Sequence, residues 1–291
     1  MAIERETPPG MRSDLESDAQ RRGLVFRRLH ESGEVLVLPN PWDAGSARLF
    51  ENVGFRALAT TSAGFAFSLG RRDGDFAVSA DETLQHAREI AEATRLPVSA
   101  DLENGFAESP DGVAETILRA GALGLAGASI EDATYRDSDP IFSRSLAVER
   151  IQAAVEAARA LPHSFVLTAR SENFIRGRPD LDDTLWRLKA YEEIGADVLY
   201  APGLPDERTL RLACNSISKP FNYVAGIGPN RFTLAELSEI GVRRVSIGSS
   251  FARAALTAAL QAAREVLDHG TFGYSDGLPT VADFNEFIDP L

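Results

Sequence analysis

The chain has 291 residues, 44% of them hydrophobic, with 43 acidic against 30 basic side chains and a formal net charge of −13. That length accommodates one large α/β barrel or two smaller domains, and the hydrophobic fraction supports a packed core rather than disorder. The acidic balance disfavours nucleic acid and anionic membrane surfaces as partners; the single cysteine, Cys214, leaves no internal disulfide framework; and with no apolar run of bilayer length and no leader pattern, a cytoplasmic protein is expected.

In chain order, the polar opening over 1–11 reads as a loose arm and residues 12–31 as a leading helix. Eight short apolar segments then alternate with helical ones: 35–39 (VLVLP), 57–61 (ALATT), 97–101 (PVSAD), 125–132 (LAGASIED), 164–170 (SFVLTAR), 196–201 (ADVLYA), 220–225 (PFNYVA) and 243–248 (RRVSIG). Such segments suit parallel strands covered on both faces. Between them, Ser79 with Glu82 and Thr233 with Glu236 fit capping boxes. Ser109-Pro110 offers an N-cap followed by proline at the first helical position, and Gly54, Gly195 and Gly241 stand where helices should end. The pattern predicts an α/β fold: a (β/α)8 TIM barrel in a single domain over 1–291, with an N-terminal helix and a C-terminal helical extension over 249–291. A doubly wound sheet is the alternative, but no glycine-rich turn follows the first strand.

Barrel chemistry collects at the C-terminal strand ends. There the sequence places Trp42 and Asp43 after strand one, Thr61-Ser62-Ala63-Gly64 after strand two with Asp73 in the following loop, and Asp101 and Glu103 after strand three. Glu131-Asp132 follow strand four, Arg170 and Glu172 strand five, and strand seven carries Asn222. The carboxylates of "SADLENGF" lie about 7 Å apart on an extended chain. Crowded carboxylates repel unless a cation sits among them. An oxygen-only set with no histidine or cysteine suits a hard ion, Mg2+ or Mn2+. Plainer roles compete: Asp43 as the N-cap of the next helix, Asp73 as an ordinary turn residue, and Arg170 as a structural partner of Glu131 or Glu172. His30, His86, His163 and His269 fall away from the strand ends, which argues against a histidine base.

The segments LVLPNPWDAGSARLFENVGFRALATTSAGFAFSLGRRDG, PVSADLENGF, GLAGASIEDAT, LTARSENF and GADVLYAPGL, in that order, resemble the isocitrate lyase/phosphoenolpyruvate mutase superfamily over about Leu36 to Phe251. The resemblance implies a barrel that binds Mg2+ and an α-oxoacid or its enolate. It implies Asp101 as the direct metal ligand, with Asp73, Glu103 and Glu131 holding metal-bound waters. Thr61, Ser62 and Ala63 would hold the substrate carboxylate, and Arg170 would bind substrate. It further implies a homo-oligomer, dimer or tetramer, in which the helix starting near Ser249 packs on a neighbouring subunit. Two departures matter: the loop after strand four, ATYRDSDPIFSR, has neither the lyases' cysteine nor the mutases' Lys-Thr-Asn-Ser.

The expected activity is Mg2+-dependent cleavage or decarboxylation of an α-oxoacid through an enolate. Arg170, Glu131 and Glu172 are the catalytic candidates. Trp42, Asp43, Thr61, Ser62, Ala63, Gly64, Arg170 and Asn222 are the substrate-binding candidates. The 133–144 loop should close over the site, with Tyr135, Arg136 and Arg144 reaching the far end of the substrate. Phosphonopyruvate or PEP mutase-type P–C chemistry and metal-dependent oxoacid binding without turnover are the alternatives. A Schiff-base aldolase is disfavoured, because Lys189 falls on a helix and Lys219 precedes strand seven.

Overall fold

All eight predicted strands form. The computed structural model describes residues 9–74, 77–228 and 231–289, with side chains of the first helix from Asp18 onward. In order, the elements are α1 (Pro9–Glu31), β1 (Leu36–Leu38), α2 (Ala44–Val53), β2 (Leu58–Ala59), α3 (Ser62–Ser68), α4 (Ala80–Ala93), β3 (Val98–Asp101), α5 (Pro110–Ala122) and β4 (Gly127–Glu131). They continue as β5 (Ala133–Arg136), β6 (Asp139–Ile141), α6 (Arg144–Ala160), β7 (Val166–Arg170), α7 (Leu181–Glu193), β8 (Val198–Tyr200) and α8 (Glu207–Asn215). The last are β9 (Phe221–Val224), α9 (Leu234–Ile240), β10 (Arg244–Ser246), α10 (Ser250–His269) and α11 (Val281–Ile288).

The eight long-range strands form one parallel sheet in the order β1-β10-β9-β8-β7-β4-β3-β2. Its two edges meet: the Ala59 amide donates to the Pro39 carbonyl at 3.1 Å. Asn40 completes the seam. Its Nδ2 donates to the Thr60 carbonyl at 2.8 Å, and its Oδ1 accepts from the amides of Ile247 (2.8 Å) and Gly248 (2.9 Å).

Side-chain alternation divides the core into two. Along β7, Leu167 and Ala169 face the helices while Val166, Thr168 and Arg170 climb the barrel interior from apolar to charged. The lower interior is apolar. Phe26 of α1 is fully buried there with Leu36, Leu38, Ala57, Ala126, Val166 and Val198, so the leading helix plugs the N-terminal end. That plug needs a glycine at 127, where a Cβ would stand 2.5 Å from the Val166 carbonyl oxygen and 3.0 Å from the Phe26 ring.

The capping expectations at Ser79, Ser109, Thr233, Gly54 and Gly241 are met. Three differences stand out. Helix α1 begins at Pro9, so residues 9–11 of the expected loose arm are helical, proline being well suited to the first turn; residues 1–8 lie outside the described residues. The expected 133–144 loop contains an antiparallel hairpin, β5 against β6, pairing Ala133 with Ile141 and Arg136 with Asp139. Helix α10 buries only Ala252, while α11 lies against α2, where Arg48 donates to the Ile288 carbonyl at 3.0 Å. Among the described residues, no helix is long and apolar enough to cross a membrane.

Candidate active site

The barrel mouth opens into a cavity of about 290 Å³ whose walls include Asp73, Asp101, Glu131, Arg170, Glu172 and Asn222. Strand register assembles its centre. Glu131 at the end of β4 is paired with Arg170 at the end of β7, and Asp101 ends β3, the next strand round. The Arg170 guanidinium sits among three carboxylates: Nη1 is 3.1 Å from Asp101 Oδ1, and Nη2 is 2.9 Å from Glu131 Oε2 and 3.0 Å from Glu172 Oε1. Its plane lies over the Tyr200 ring, 5.0 Å from the centroid. The structural pairing weighed for Arg170 and its place in the site are thus the same fact.

Glu131 is further engaged by Arg176 Nη2 at 3.1 Å and by the Tyr135 hydroxyl, which donates at 2.6 Å. Tyr135, on the hairpin, holds a left-handed φ of 59°, a conformation that costs energy for a bulky side chain and brings its ring over the cavity. Asp101 Oδ2 accepts the Ser62 amide at 3.2 Å. Thr61, Ser62 and Ala63 line the cavity. Gly64 lies behind them, donating its amide to the Thr61 hydroxyl at 3.2 Å.

Electrostatics follow from this crowding. Burial works against the charge on Arg170, but Glu131, Glu172 and Asp101 outweigh it and hold the guanidinium firmly protonated. Burial, then the charges of Asp101 and Glu131, push the Glu103 carboxyl up to about 8. Asp73 is raised by desolvation and by the same two neighbours. Burial raises Glu172 against the pull of Arg170.

These residues bear on a bound cation in two ways. The donors are oxygens only, and five carboxyl groups (Asp73, Asp101, Glu103, Glu131, Glu172) crowd around Arg170 and Arg176; the upward shifts of Asp73, Glu103 and Glu172 mark a site that favours added positive charge, which a hard cation would supply. Yet no three carboxylates converge closely among the described residues, because Arg170 occupies their centre. The arrangement fits an ion held directly by Asp101, the most exposed of the three carboxylates on Arg170, and otherwise through water, as Mg2+ tolerates.

Several expected site residues have other work. Trp42 packs edge-on against Phe50 with ring centroids 6.3 Å apart, and its carbonyl accepts from His86 at 2.9 Å. Asp43 caps α2, accepting the Ser46 amide at 2.6 Å in a capping box. Neither lines the cavity, since the helix start takes both. Glu103 is buried beside it, in a left-handed turn with φ 48°. Asp132 points outward, one residue out of phase with Glu131. Its Oδ1 accepts the Glu172 amide at 2.8 Å, and its Oδ2 accepts from Arg187 (2.9 Å) and Tyr191 (2.7 Å). Arg136 pairs with Glu108 at 2.7 Å and Arg144 with Asp183 at 2.5 Å, so neither reaches the cavity.

Sequence reasoning missed Arg176, Tyr200, Thr168 and Arg244, all on the cavity wall. Signals existed for two. Arg176 stands four residues after Glu172, and Arg244 alternates with Ser246 in "RRVSIG", polar side chains on the inward phase of a strand.

Comparison with known proteins gives a consistent result. The Burkholderia cenocepacia J2315 structure provisionally named a lyase/mutase is 49% identical, with a TM-score of 0.91 over 93% of this chain and 96% of that one. The uncharacterized protein MT2054 of Mycobacterium tuberculosis (strain CDC 1551 / Oshkosh) is 34% identical over 84% of this chain and 90% of its own length. A structure of oxaloacetate acetylhydrolase in complex with the product oxalate is 27% identical, with a TM-score of 0.82 over 93% of this chain and 94% of that one. The profile of the phosphoenolpyruvate phosphomutase family matches residues 26–267, nearly the whole barrel. The chain therefore belongs to that family, within the isocitrate lyase/PEP mutase superfamily.

Proposed function

We propose that the protein is a Mg2+-dependent enzyme that cleaves or decarboxylates an α-oxoacid at the bond leading outward from the carbon next to its carbonyl, so that the electron pair of that bond becomes an enolate. The observation that carries this reading is the Arg170 guanidinium held among Asp101, Glu131 and Glu172 at the strand ends, with Asp101 facing the cavity. Asp101 would hold the ion, with Asp73, Glu103 and Glu131 around it; Mn2+ has the same donor preference. Bound there, the cation would supply electrophilic stabilisation of the charge that develops on the carbonyl oxygen. Arg170 would neutralise a substrate carboxylate or the enolate that follows bond breaking. Glu131 and Glu172 would keep Arg170 oriented, and Tyr135 would cover the mouth and exclude water.

The cavity suits a small oxoacid rather than a large cofactor. The similarity to an oxaloacetate acetylhydrolase supports a 2-oxo dicarboxylate. No cysteine stands in the 133–144 segment, and Cys214 lies on α8, so cysteine-assisted lyase chemistry is not proposed. Turnover of oxaloacetate, 2-oxoglutarate, 2-methylisocitrate and phosphonopyruvate, each with Mg2+ and with excess chelator, tests the reading. Chelator-sensitive release of CO2 or a second carboxylic acid from an oxoacid supports it. Binding without turnover of any compound would replace it with a carrier role, and turnover of phosphonopyruvate alone with P–C chemistry.

A homo-oligomer is part of the proposal. Helix α10 leaves Leu256, Leu260 and Leu267 between 50% and 85% exposed, a stripe that a neighbouring subunit would cover. Light scattering on the eluting protein should give a dimer or tetramer, and replacing Leu256 and Leu260 together by Glu should give monomer.

A further inference from the structure

We propose that Arg244, on the cavity floor with Asn222 and Ser246 beside it, is the anchor for the second carboxylate of a 2-oxo dicarboxylate. This rests on the reading of the site as an oxoacid site and deepens it, by assigning the far end of the substrate.

Arg244 begins β10 and is only 3% exposed. Its Nη1 donates to the Thr168 hydroxyl at 2.7 Å, and among the described residues its Nε is buried without a partner and no carboxylate lies within ion-pair distance. The other two guanidiniums on the cavity wall have one: buried Arg170 has three and half-buried Arg176 two. An arginine does not escape burial by giving up its proton. A buried charge without a counter-charge is expensive, so a fold that keeps one gains something from the partner that arrives. Below Arg244 is the apolar plug, the Phe26 ring 6.0 Å away; above it is the cavity. The counter-charge therefore has one place to come from.

Its position fits a short molecule with a charge at each end. Strand β10 stands three strands from β7 in one direction and, through β1 and β2, three from β3 in the other. The Arg244 side chain crosses the barrel interior to Thr168 on β7, two residues before Arg170 on the same inward phase, so its guanidinium lies one layer below the Asp101–Arg170 pair. Next to it, Asn222 occupies the matching register position on β9. Its Nδ2 donates to Ser246 Oγ at 3.0 Å, while its Oδ1 is buried with no partner. Turning the amide over lets the Ser246 hydroxyl donate to Oδ1 and presents Nδ2 toward the same anion. A guanidinium and an amide side by side match the two oxygens of a carboxylate.

The test compares ligands that share the oxoacid head and differ in the second carboxylate: oxaloacetate and 2-oxoglutarate against pyruvate, all with Mg2+. Dissociation constants and KM are measured for the wild type, Arg244→Met and Arg244→Lys. In Arg244→Met the dicarboxylates should weaken by about 10- to 100-fold, the loss of a charged hydrogen-bond partner, while pyruvate should change by less than about threefold. Arg244→Lys should recover part of the difference. Removing an unpaired buried charge should also raise the melting temperature of ligand-free Arg244→Met. A merely structural arginine would shift both ligand classes together. An unchanged dicarboxylate-to-pyruvate ratio in the variants would overturn the assignment, and if Arg244→Met does not fold, Arg244→Lys and Asn222→Ala give the same ratio. Failure of the wild type to bind any of the three would instead overturn the oxoacid reading itself.

Discussion

Arg170 and Asp101, 69 residues apart in sequence, meet at 3.1 Å between Nη1 and Oδ1 at the mouth of the barrel. Arg170 also holds Glu131 and Glu172, both almost wholly buried, whereas Asp101 retains 16% side-chain exposure. Of the three carboxylates on Arg170, all on the cavity wall, Asp101 is the most exposed to an incoming ligand. Asp101→Ala should abolish both turnover and Mg2+ binding while the circular dichroism spectrum stays that of the wild type, because the residue ends a strand and is not core. Calorimetry that found unchanged Mg2+ affinity in the variant would remove Asp101 from the site.

Arg170 also bears on stability. Arg170→Met would leave Glu131 and Glu172 facing each other in the interior with Arg176, at 3.1 and 3.6 Å, as their remaining cation among the described residues. Breaking a buried ion pair from one side costs about 3–5 kcal/mol. Urea unfolding should show a loss of that order, and Glu172→Gln added to Arg170→Met should recover part of it, the signature of coupled neighbours. A loss below about 1 kcal/mol, the scale of exposed pairs, would mean that water or Arg176 already satisfies these carboxylates.

The strand ends were the legible part of the site. An apolar strand that stops on Asp101 or Arg170 announces a charge placed at the end of a core element, and those residues do line the cavity. Asp43 and Trp42 show the limit of that rule. A residue after a strand is also a residue before a helix, and at β1 the N-cap demand wins. Asp132 shows the role of phase: its neighbour Glu131 faces in, so it faces out to Arg187 and Tyr191. The hairpin at 133–141 was illegible because its strands are three and four residues long and carry Asp, Arg and Pro. The pairing of Arg136 with Glu108 and of Arg144 with Asp183 depends on which helix lies beside the hairpin, a tertiary fact that spacing does not encode.

Cys214 offers a test of the chemistry without a cysteine. It lies on α8 facing Gly241, half-buried, and desolvation pushes its thiol up to about 12. At neutral pH it is therefore a thiol, neither nucleophile nor ready acid. Cys214→Ser should keep turnover within about twofold, and iodoacetamide should react slowly and without inactivating. General acid–base groups contribute about 10²- to 10⁴-fold, so a loss of that size with the fold intact would place Cys214 in the reaction.

The last expectation concerns acid. His30 ends α1 beneath the barrel, its ring edge-on to Phe26 with centroids 4.6 Å apart. Its Nδ1 lies 2.8 Å from the Phe26 carbonyl, and its Nε2 is buried without a partner, so a second ring proton would have no acceptor. Burial, and next the Arg244 guanidinium, lower its pKa from 6.5 to about 4. Below 6.5 the unfolded chain takes up a proton that the fold refuses until about 4. His30 thus costs no stability above pH 6.5; its penalty grows as the pH falls from there to about 4 and then levels off. The shift corresponds to a loss of about 3 kcal/mol across that window. Urea unfolding at pH 7.5, 5.5 and 4.5 should show a steeper decline in the wild type than in His30→Gln. Arg244→Met should narrow the window from below by letting His30 protonate earlier, which a nuclear magnetic resonance titration of the His30 ring reads directly. Equal slopes in the wild type and His30→Gln would show that the imidazole protonates within the fold as easily as in water.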